Sequence, residues 1–328
     1  MRTRQRTWAI VLAAGDGTRL ASLTTDARGN AVPKQYCSLN GGDSLLQEAI
    51  QRAARLAPRP RTCVIVAEQH RRYWGELLWA LPGQNIIVQP ANRGTAHGIL
   101  LSVLSILDHD PLARIVFLPA DHYVRDERSL GESLRATERL LTRSFDALAL
   151  IGIEPEEADP ELGYIEPGVA DFDGSRAVAR FVEKPDLPTA RALIARGALW
   201  NSFIFGACGP TLLALMRTRM GAVDAMATAL ARDARVGSHS RALTELYEDL
   251  PTVDFSSAVV QGAEGSLRVV PARACGWSDL GTPRRVAEAL LRLRLERLER
   301  PVDSEREVPL ASACINLAAQ HARLGLAV

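Results

Sequence analysis

Residues 8–35 read WAIVLAAGDGTRLASLTTDARGNAVPKQ, and this stretch decides the fold. Its apolar run, residues 8–14, is short and stops at the GDG of residues 15–17, a pattern that predicts a buried strand leading into a turn. Glycine lets backbone N–H groups approach an anion closely, and Arg19 and Lys34 supply positive charge nearby. The stretch therefore favours a phosphate-binding loop, although a glycine turn after a first strand often serves steric needs alone.

Two standard nucleotide-binding motifs do not fit this loop. A Walker A loop requires Lys-Ser or Lys-Thr directly after its last glycine, whereas Thr18 and Arg19 follow Gly17 here. A dinucleotide fingerprint requires its third glycine at the position that Leu20 occupies. What remains is a glycine loop followed by an arginine and a lysine.

The composition describes a globular chain without a strong charge bias. The chain has 328 residues, of which 47% are hydrophobic and 23% charged, and its formal net charge is +1. This length accommodates two domains or one large α/β unit. A nucleic-acid-binding protein would carry a strong basic excess, so no nucleic-acid partner is expected and any phosphate site must be local.

Cysteine usage and hydropathy predict a cytoplasmic protein. The five cysteines are far apart and form no C-x-x-C pair, which argues against a disulfide scaffold or a structural zinc site and fits a reducing compartment. The apolar run after the basic first residues is too short for a signal peptide. No stretch approaches the roughly 18 apolar residues of a membrane span, so no membrane partner is expected.

Short β-branched runs alternate with helical patterns through the first half of the chain. Strands are predicted at residues 8–14, 61–67, 85–89, 113–118 and 147–152, and helices at 44–57, 69–81, 94–107 and 127–141. This alternation predicts an α/β fold with a Rossmann-like, doubly wound, mostly parallel sheet.

The pattern changes after residue 152. Shorter strands are predicted at residues 163–167, 177–182, 200–205 and 267–270, and helices at 189–196, 210–218, 223–232 and 240–250. We expect one domain over residues 1–290, in which residues 153–283 form an accessory lobe over residues 8–152. Residues 284–328 form a C-terminal helical tail, with a charged helix at 284–300 and an amphipathic segment at 309–328. Its charged face is either solvated or an oligomer contact.

Two aspartates follow strands of the predicted sheet. In doubly wound sheets, ligands bind outside the carboxyl ends of the strands. Asp121 follows the fourth strand, and Asp279 comes shortly after the strand at 267–270. A single aspartate there more often forms a turn or caps a helix, but two carboxylates at a phosphate site are natural ligands for Mg²⁺.

Two further polar residues follow or interrupt strands of the second half. Pro185 ends the strand before it, so Lys184 faces a loop, where an ordinary surface lysine is the plainer interpretation. Asn201 is a short polar group in an apolar strand and needs a partner in the protein or a ligand. His97 and His122 are conceivable general bases, but an ionised phosphate has no proton to remove, so structural or hydrogen-bonding roles are predicted.

Seven motifs occur in the order found in sugar-phosphate nucleotidylyltransferases. They are LAAGDGTRL (12–20), PKQ (33–35), NRGTA (92–96), PADH (119–122), FVEKP (181–185), WNS (200–202) and GWSD (276–279). The set spans roughly residues 8–290 and resembles most closely that of the mannose-1-phosphate guanylyltransferases.

This resemblance implies a fold of the nucleotide-diphospho-sugar transferase type and a reaction. GTP and mannose-1-phosphate would give GDP-mannose and pyrophosphate, with Mg²⁺ as the cofactor. Residues 8–152 would bind the nucleotide and residues 153–283 the sugar phosphate. One alternative is the same reaction with UTP or dTTP and another hexose-1-phosphate or a heptose-1-phosphate. A catalytically inactive nucleotide-sugar sensor is a second.

The resemblance also implies a role for individual residues. Arg19 and Lys34 would neutralise the triphosphate, and Lys184 would grip the sugar phosphate. The nucleotide would contact Ala13, Ala14, Gly15, Gly17, Thr18, Asn92, Gly94 and Thr95. The sugar phosphate would contact Gly163, Glu183, Lys184 and Asn201, and Asp121 and Asp279 would bind Mg²⁺. GTP and a sugar-1-phosphate are thus the expected partners, and a homo-oligomer remains an alternative for the tail.

Overall fold

The computed structural model describes residues 7–17, 20–26, 29–236 and 241–299. Its strands are β1 (Thr7–Ala13), β2 (Thr62–Ala67), β3 (Ile86–Gln89), β4 (Arg114–Pro119), β5 (Tyr123–Val124), β6 (Leu148–Ile153), β7 (Tyr164–Ala170), β8 (Arg176–Val182), β9 (Leu199–Cys208), β10 (Leu267–Pro271) and β11 (Trp277–Ser278). Its helices are α1 (Leu45–Ala54), α2 (Arg71–Leu77), α3 (Thr95–His109), α4 (Glu127–Arg143), α5 (Leu187–Ala195), α6 (Gly209–Arg219), α7 (Val223–Val236), α8 (Arg241–Asp249) and α9 (Pro283–Glu299).

One large sheet organises the described residues. Its strand order is β3-β2-β1-β4-β9-β6-β10-β8-β7. Within this described sheet, only β8 and β9 run opposite to the other strands. The predicted Rossmann-like, doubly wound, mostly parallel α/β sheet is confirmed.

Strand β1 shows why both faces of the sheet are covered. Successive side chains of a strand point to opposite faces. Trp8 and Ile10 join an apolar cluster that includes residues of α3 and α6, whereas Ala9 and Val11 join a second cluster with residues of α1 and α4. A strand buried on both faces reads as a continuous apolar run, which is how it was predicted.

The second half of the chain extends the same sheet. Strand β9 lies antiparallel between β4 and β6, and Phe205 is paired with Phe117 on one side and Leu150 on the other. The Phe117 and Phe205 rings stack with their centroids 4.5 Å apart. Strand β7 pairs with β9 as well as with β8. This additional pairing closes a ring of strand pairs made of β9, β6, β10, β8 and β7.

A separate two-stranded sheet joins distant parts of the chain. Strands β5 and β11 pair antiparallel, with Tyr123 opposite Ser278 and Val124 opposite Trp277. This pairing brings the turn after β4 next to the turn after β11, and therefore brings Asp121 close to the Asp279 loop. Neither strand was predicted from the sequence.

The predicted helices are confirmed within a few residues at their ends. Helix α1 begins after Ser44, whose hydroxyl accepts from the Gln47 backbone while the Gln47 side chain accepts from the Ser44 backbone. Helix α9 confirms the charged helix of the tail as far as Glu299, and the segment at 309–328 lies outside the described residues. No helix in the described part of the chain is both long and apolar enough to cross a bilayer.

Candidate active site

A cleft of about 660 Å³ opens at the carboxyl ends of the parallel strands. Residues from both halves of the chain line it, as expected for a ligand site in a doubly wound sheet. The predicted site residues on its wall are Ala14, Gly15, Gly17, Asn92, Gly94, Thr95, Asp121, Gly163, Glu183, Lys184, Asn201 and Asp279. Segments that are far apart in the chain thus meet in one cavity.

The glycine loop after β1 is held from beneath by Gln35. The buried Gln35 amide donates to the carbonyl oxygens of Ala13 (3.1 Å) and Gly15 (2.7 Å). Gly17 has a φ of +63°, and a Cβ added there would lie 2.9 Å from the Lys34 backbone nitrogen. This loop therefore needs a glycine at residue 17, and the PKQ motif serves as its support.

One predicted nucleotide contact among the described residues, Ala13, does not lie on the cleft wall. The Ala13 side chain is buried in the sheet, and its carbonyl already accepts from Gln35. Thr18 and Arg19 lie outside the described residues.

The segment before α3 closes one side of the cleft. Gly94 has a φ of +83°, and a Cβ there would overlap the backbone of Val253. Asn92 accepts at Oδ1 from the Gly94 N–H (3.0 Å) and donates from Nδ2 to Asp16 of the glycine loop (2.8 Å). These contacts fix the NRGTA motif against both the glycine loop and a later segment of the chain.

Gln89, at the end of β3, is a lining residue that sequence reasoning missed. It is 1% exposed, and its side-chain oxygen has no hydrogen-bond partner among the described residues. A Cβ at Gly98 would lie 2.8 Å from this oxygen, so glycine at that position keeps the space beside it open. A buried amide oxygen without a partner favours a ligand N–H group. Its only signal in the sequence is a glutamine closing an apolar strand.

Lys34 lies behind the cleft and joins its acidic residues. The buried ammonium is 3.0 Å from Asp121 Oδ2 and donates to the carbonyl oxygen of Asp279 at 2.5 Å. Burial raises the pKa of Asp121, but the Lys34 charge, the neighbouring His122 and the hydrogen bonds to the carboxylate together hold the pKa below its usual value. Asp121 is therefore ionised at neutral pH.

The two aspartates offer a cation only part of their oxygen atoms. Asp279 Oδ1 accepts from the Gly281 N–H (3.1 Å) and from Arg285, and Asp279 Oδ2 has no hydrogen-bond partner among the described residues. Asp121 Oδ1 lies 3.6 Å from His122 Nε2, and Asp121 is on the cleft wall. No group of three or more His, Cys, Asp or Glu residues forms a metal cage within the described ranges. One oxygen from each aspartate fits a hydrated, oxygen-preferring cation such as Mg²⁺.

The two histidines singled out in the sequence, His97 and His122, are both buried. Burial, opposed by the Asp121 charge, lowers the pKa of His122 to about 4, so its ring is neutral. His122 Nδ1 accepts from the Trp277 indole N–H at 3.3 Å. Burial also lowers the pKa of His97, whose Nδ1 lies 2.8 Å from the Arg93 carbonyl. Both rings have partners in the protein, in keeping with the hydrogen-bonding roles predicted for them.

Glu183 and Lys184 present opposite charges at the end of β8. Lys184 is exposed, has a φ of +45°, and its ammonium makes no hydrogen bond or salt bridge among the described residues. Glu183 Oε2 is buried without a hydrogen-bond partner in the same part of the structure. Burial, together with the nearby Asp254 charge, raises the pKa of Glu183 to about 7. Lys184 can therefore neutralise an anion, and Glu183 can hydrogen-bond to hydroxyl groups.

Asn201 is aimed at the cleft by an irregularity in β9. The pairing of β6 with β9 shifts register between Leu150 and Gly152, and Phe203 there has a φ of +56°. Asn201 accepts at Oδ1 from the Phe203 N–H (3.1 Å), and its Nδ2 lies 3.4 Å from Ser256 Oγ. Bulges of this kind commonly redirect a side chain beside a functional site.

Residues 252–256 form a second lining segment that sequence reasoning missed. The Asp254 carboxylate accepts from the Thr95 hydroxyl at 3.0 Å, and that hydroxyl accepts from the Phe255 N–H at 2.8 Å. Thr252, Asp254 and Ser256 line the cleft. The segment therefore connects the predicted nucleotide side of the site with Glu183 and Asn201.

Solved structures share this fold. A Thermus thermophilus protein, described as a mannose-1-phosphate geranyltransferase, superposes with a TM-score of 0.71 at 30% identity, over 84% of this chain and 76% of its own. A UDP-glucose pyrophosphorylase crystallised with UDP-glucose superposes with a TM-score of 0.60 at 13% identity, over 89% of this chain and 99% of its own. The second likeness concerns the fold alone.

Sequence comparison then identifies the family. The profile of the nucleotidyl transferase family matches residues 8–295. The xanthan biosynthesis protein XanB of Xanthomonas campestris pv. campestris is 33% identical over 279 residues. The mannose-1-phosphate guanylyltransferase of Escherichia coli K12 is 33% identical over 292 residues. The alignments cover 83% and 85% of this chain, which spans only 57% and 59% of those relatives. The chain belongs to the nucleotidyl transferase family.

Proposed function

We propose that this chain transfers a guanylyl group from GTP to mannose-1-phosphate, giving GDP-mannose and pyrophosphate. The observation that carries the proposal is that the glycine loop and charged residues from both halves of the chain line one cleft. The glycine loop and Asp121 come from the first half of the chain, and Lys184 and Asp279 from the second. The names of the relatives support the choice of substrates.

The glycine loop is proposed to bind the triphosphate. Its backbone N–H groups can approach phosphate oxygens closely because residues 15 and 17 carry no side chain. Arg19, outside the described residues, is proposed as the cation beside the leaving pyrophosphate. Lys34 acts from behind by holding Asp121 and the Asp279 backbone in place. Nucleotide binding is thereby assigned to residues 8–152 of a domain covering residues 1–290.

The sugar phosphate is proposed to bind across the cleft, in residues 153–283. The Lys184 ammonium would orient its phosphate, while Glu183 and Asn201 bind sugar hydroxyls beside Gly163. A phosphate oxygen then attacks the α-phosphorus of GTP in line, and the bond from that phosphorus to the pyrophosphate oxygen breaks. Because the attacking phosphate is already ionised, alignment and charge neutralisation suffice and no general base is needed.

Asp121 and Asp279 are proposed to hold Mg²⁺. When bound, the ion would supply positive charge for the phosphate oxygens. Other oxygen lone pairs of the two aspartates are committed to Lys34, Arg285 and the Gly281 N–H, so these protein contacts fix both carboxylates before any ligand arrives.

A second candidate keeps the reaction and changes the base. Gln89 presents an amide to the cleft, and an amide complements the N1–H and O6 edge of guanine as well as the N3–H and O4 edge of uracil or thymine. UTP or dTTP with another hexose-1-phosphate or a heptose-1-phosphate is therefore the alternative.

A substrate panel tests the proposal. Pyrophosphate release would be measured for GTP, UTP, dTTP, CTP and ATP, each with mannose-1-phosphate, glucose-1-phosphate and a heptose-1-phosphate. We expect the highest kcat/KM for GTP with mannose-1-phosphate. A higher value for another pair would contradict the substrate assignment, and no release with any pair would contradict the reaction and favour a sensor. Asp121→Asn serves as the background control.

A further inference from the structure

Arg285, on helix α9, lies between two carboxylates from different parts of the site. Its side chain is 7% exposed. One terminal nitrogen donates to Asp279 Oδ1 and the other to Asp159 Oδ2, while the guanidinium carbon lies 5.4 Å from the Trp200 ring centroid. A buried guanidinium that is engaged on both sides in this way is fixed in position.

We propose that Arg285 is a positioning residue for Asp279, and this inference rests on the proposed function. Arg285 and the Gly281 N–H both occupy Asp279 Oδ1, which leaves Oδ2 for a cation. The Asp279 carboxylate is thereby fixed so that it can bind a cation in the cleft through a single oxygen. Partners outside the coordination sphere that orient a carboxylate ligand are worth roughly 10- to 100-fold in metal affinity or activity.

Asp159 completes the arrangement and connects it to the sugar side of the cleft. Its backbone N–H donates to the Tyr164 hydroxyl (2.8 Å), and that hydroxyl donates back to its carbonyl oxygen (3.1 Å). Asp159 Oδ1 also accepts from the Glu161 N–H at 2.7 Å. The loop that it anchors continues to Gly163 on the cleft wall. Arg285 therefore joins the Asp279 carboxylate to the loop that delivers Gly163.

Other arginines of α9 contact the same loop in a different way. Arg292 pairs with Glu156 at 3.0 Å, and Arg284 pairs with Glu157, but in both pairs the side chains are 40% or more exposed. Exposed pairs of this kind contribute little. Arg292 thus provides a matched control on the same helix and loop, without contact to a residue of the proposed site.

The test separates positioning from a purely structural role with three variants and one control. The variants are Arg285→Met, Arg285→Lys, and Arg285→Met combined with Asp159→Asn; Arg292→Met is the control. The double variant removes the unpaired charge that Arg285→Met would leave on Asp159, and the amide oxygen that replaces the carboxylate can still accept from the Glu161 N–H. Thermal unfolding reports the fold. Binding of Mn²⁺ alone, followed by loss of the free-ion EPR signal, and the Mg²⁺ concentration for half-maximal pyrophosphate release report the site.

We expect Arg285→Met to weaken Mn²⁺ binding, and to raise the half-saturating Mg²⁺ concentration, by about 10-fold or more. The double variant should regain thermal stability without regaining Mn²⁺ affinity. Arg285→Lys should keep only part of the wild-type Mn²⁺ affinity, because an ammonium reaches one carboxylate more readily than two. Arg292→Met should behave as wild type.

Three outcomes would overturn the proposal. They are wild-type Mn²⁺ affinity in Arg285→Met, recovery of Mn²⁺ affinity together with stability in the double variant, and a wild-type chain that binds no Mn²⁺. Failure of the proposed reaction shows separately, as an absence of pyrophosphate release by a wild-type chain that still binds Mn²⁺.

Discussion

Backbone strain is concentrated at the cleft. The non-glycine residues with positive φ in the described part of the chain are Lys184 (+45°), Phe203 (+56°) and Leu280 (+49°). Lys184 and Phe203 line the cleft, and Leu280 directly follows Asp279. A non-glycine residue in this conformation persists only when its surroundings enforce it, and such residues cluster at functional sites. The strain therefore supports the location of the site independently of its charges.

Lys184→Ala tests the sugar-phosphate side at the scale of one residue. Because the ammonium makes no hydrogen bond or salt bridge among the described residues, its removal should leave the fold and GTP binding intact while raising the KM for the sugar phosphate by about 10-fold or more. Steady-state kinetics with each substrate varied in turn, together with calorimetric GTP binding, would measure this. Arg191→Ala, an exposed cation on α5, is the control. An equal loss of GTP and sugar-phosphate affinity would contradict the assigned place of Lys184.

Asp121→Asn and Asp279→Asn test the carboxylate pair. Each change keeps the shape of the side chain and removes its charge, so we expect turnover to fall by at least about 10²-fold, as for loss of a major electrostatic stabiliser. Single-turnover pyrophosphate release measures the effect. Asp108→Asn, on the exposed face of α3, should keep wild-type turnover. Near-normal rates in both site variants would refute the assignment.

The raised pKa of Glu183 predicts a pH-dependent stability. The folded-state pKa of about 7 lies above the ordinary 4.5, so the stabilisation from this group is complete below about pH 4.5 and is lost as pH rises through 7. Between pH 5 and pH 8, the free energy of unfolding of wild type should fall by on the order of 1 to 2 kcal/mol relative to that of Glu183→Gln. Urea unfolding at both pH values measures the difference.

The matched control for this experiment is Glu76→Gln, because Glu76 is exposed on α2. It should follow the wild-type pH dependence. If Glu183→Gln follows wild type as well, Glu183 is ionised in the folded protein throughout this range.

At the scale of elements, backbone hydrogen bonds join the start of α3 to residues 252–256. The Ala96 N–H donates to the Val253 carbonyl (3.1 Å), and the Val253 N–H donates to the Arg93 carbonyl (3.1 Å). Only a glycine fits at residue 94, because its φ is positive and a Cβ would overlap Val253. The start of α3 and the later segment therefore form one unit.

Gly94→Ala should displace this unit. We expect Gly94→Ala to lower the free energy of unfolding by about 2 kcal/mol more than Gly197→Ala does, and to lower nucleotide affinity at least roughly 10-fold. Gly197 is the matched control, since its φ of +81° is nearly the same but no atom lies within 4 Å of an added Cβ. Urea unfolding and GTP binding measure both variants. Equal destabilisation by the two changes would show that the contact with Val253 is unimportant.

The sequence predicted elements with a strong local period and missed those set by distant contacts. The apolar runs of β1 and β4 and the spacing of α4 are local signals, and they placed these elements within a few residues. Asp254 meets Thr95 across 159 residues, and no local pattern records that. Strands β5 and β11 are two residues long and exist because they pair with each other.

The candidate site was predictable to the same degree. The motif residues were found because their order resembles that of a family, and most of them lie on one cleft wall. Gln89 and Asp254 were missed because a polar residue at the end of a strand or in a turn usually serves structure. Lys34 was placed at the triphosphate, but the fold buries it beside Asp121. The roles of the site residues in ligand binding stay predictions, as do the cytoplasmic location, the absence of a nucleic-acid partner and the homo-oligomer.

At the scale of the whole molecule, the two halves share one sheet and should unfold together. Strand β9, from the second half, is hydrogen-bonded to β4 and β6 of the first. We expect urea unfolding followed by far-UV circular dichroism and by tryptophan fluorescence to give coincident transitions. Of the five tryptophans, Trp8, Trp74 and Trp79 report the first half, and Trp200 and Trp277 report the second. Two separated transitions would indicate that the halves fold independently.

The place of β9 also has a consequence for how the chain is made. Strands β4 and β6 leave the ribosome before β9, which is complete only at Cys208. Until then, the nascent chain holds two strands whose shared neighbour has not been synthesised, and such unpaired edges invite association with other chains. Chaperones that bind nascent chains should therefore bind this protein after residue 153 emerges and release it once residue 208 has followed.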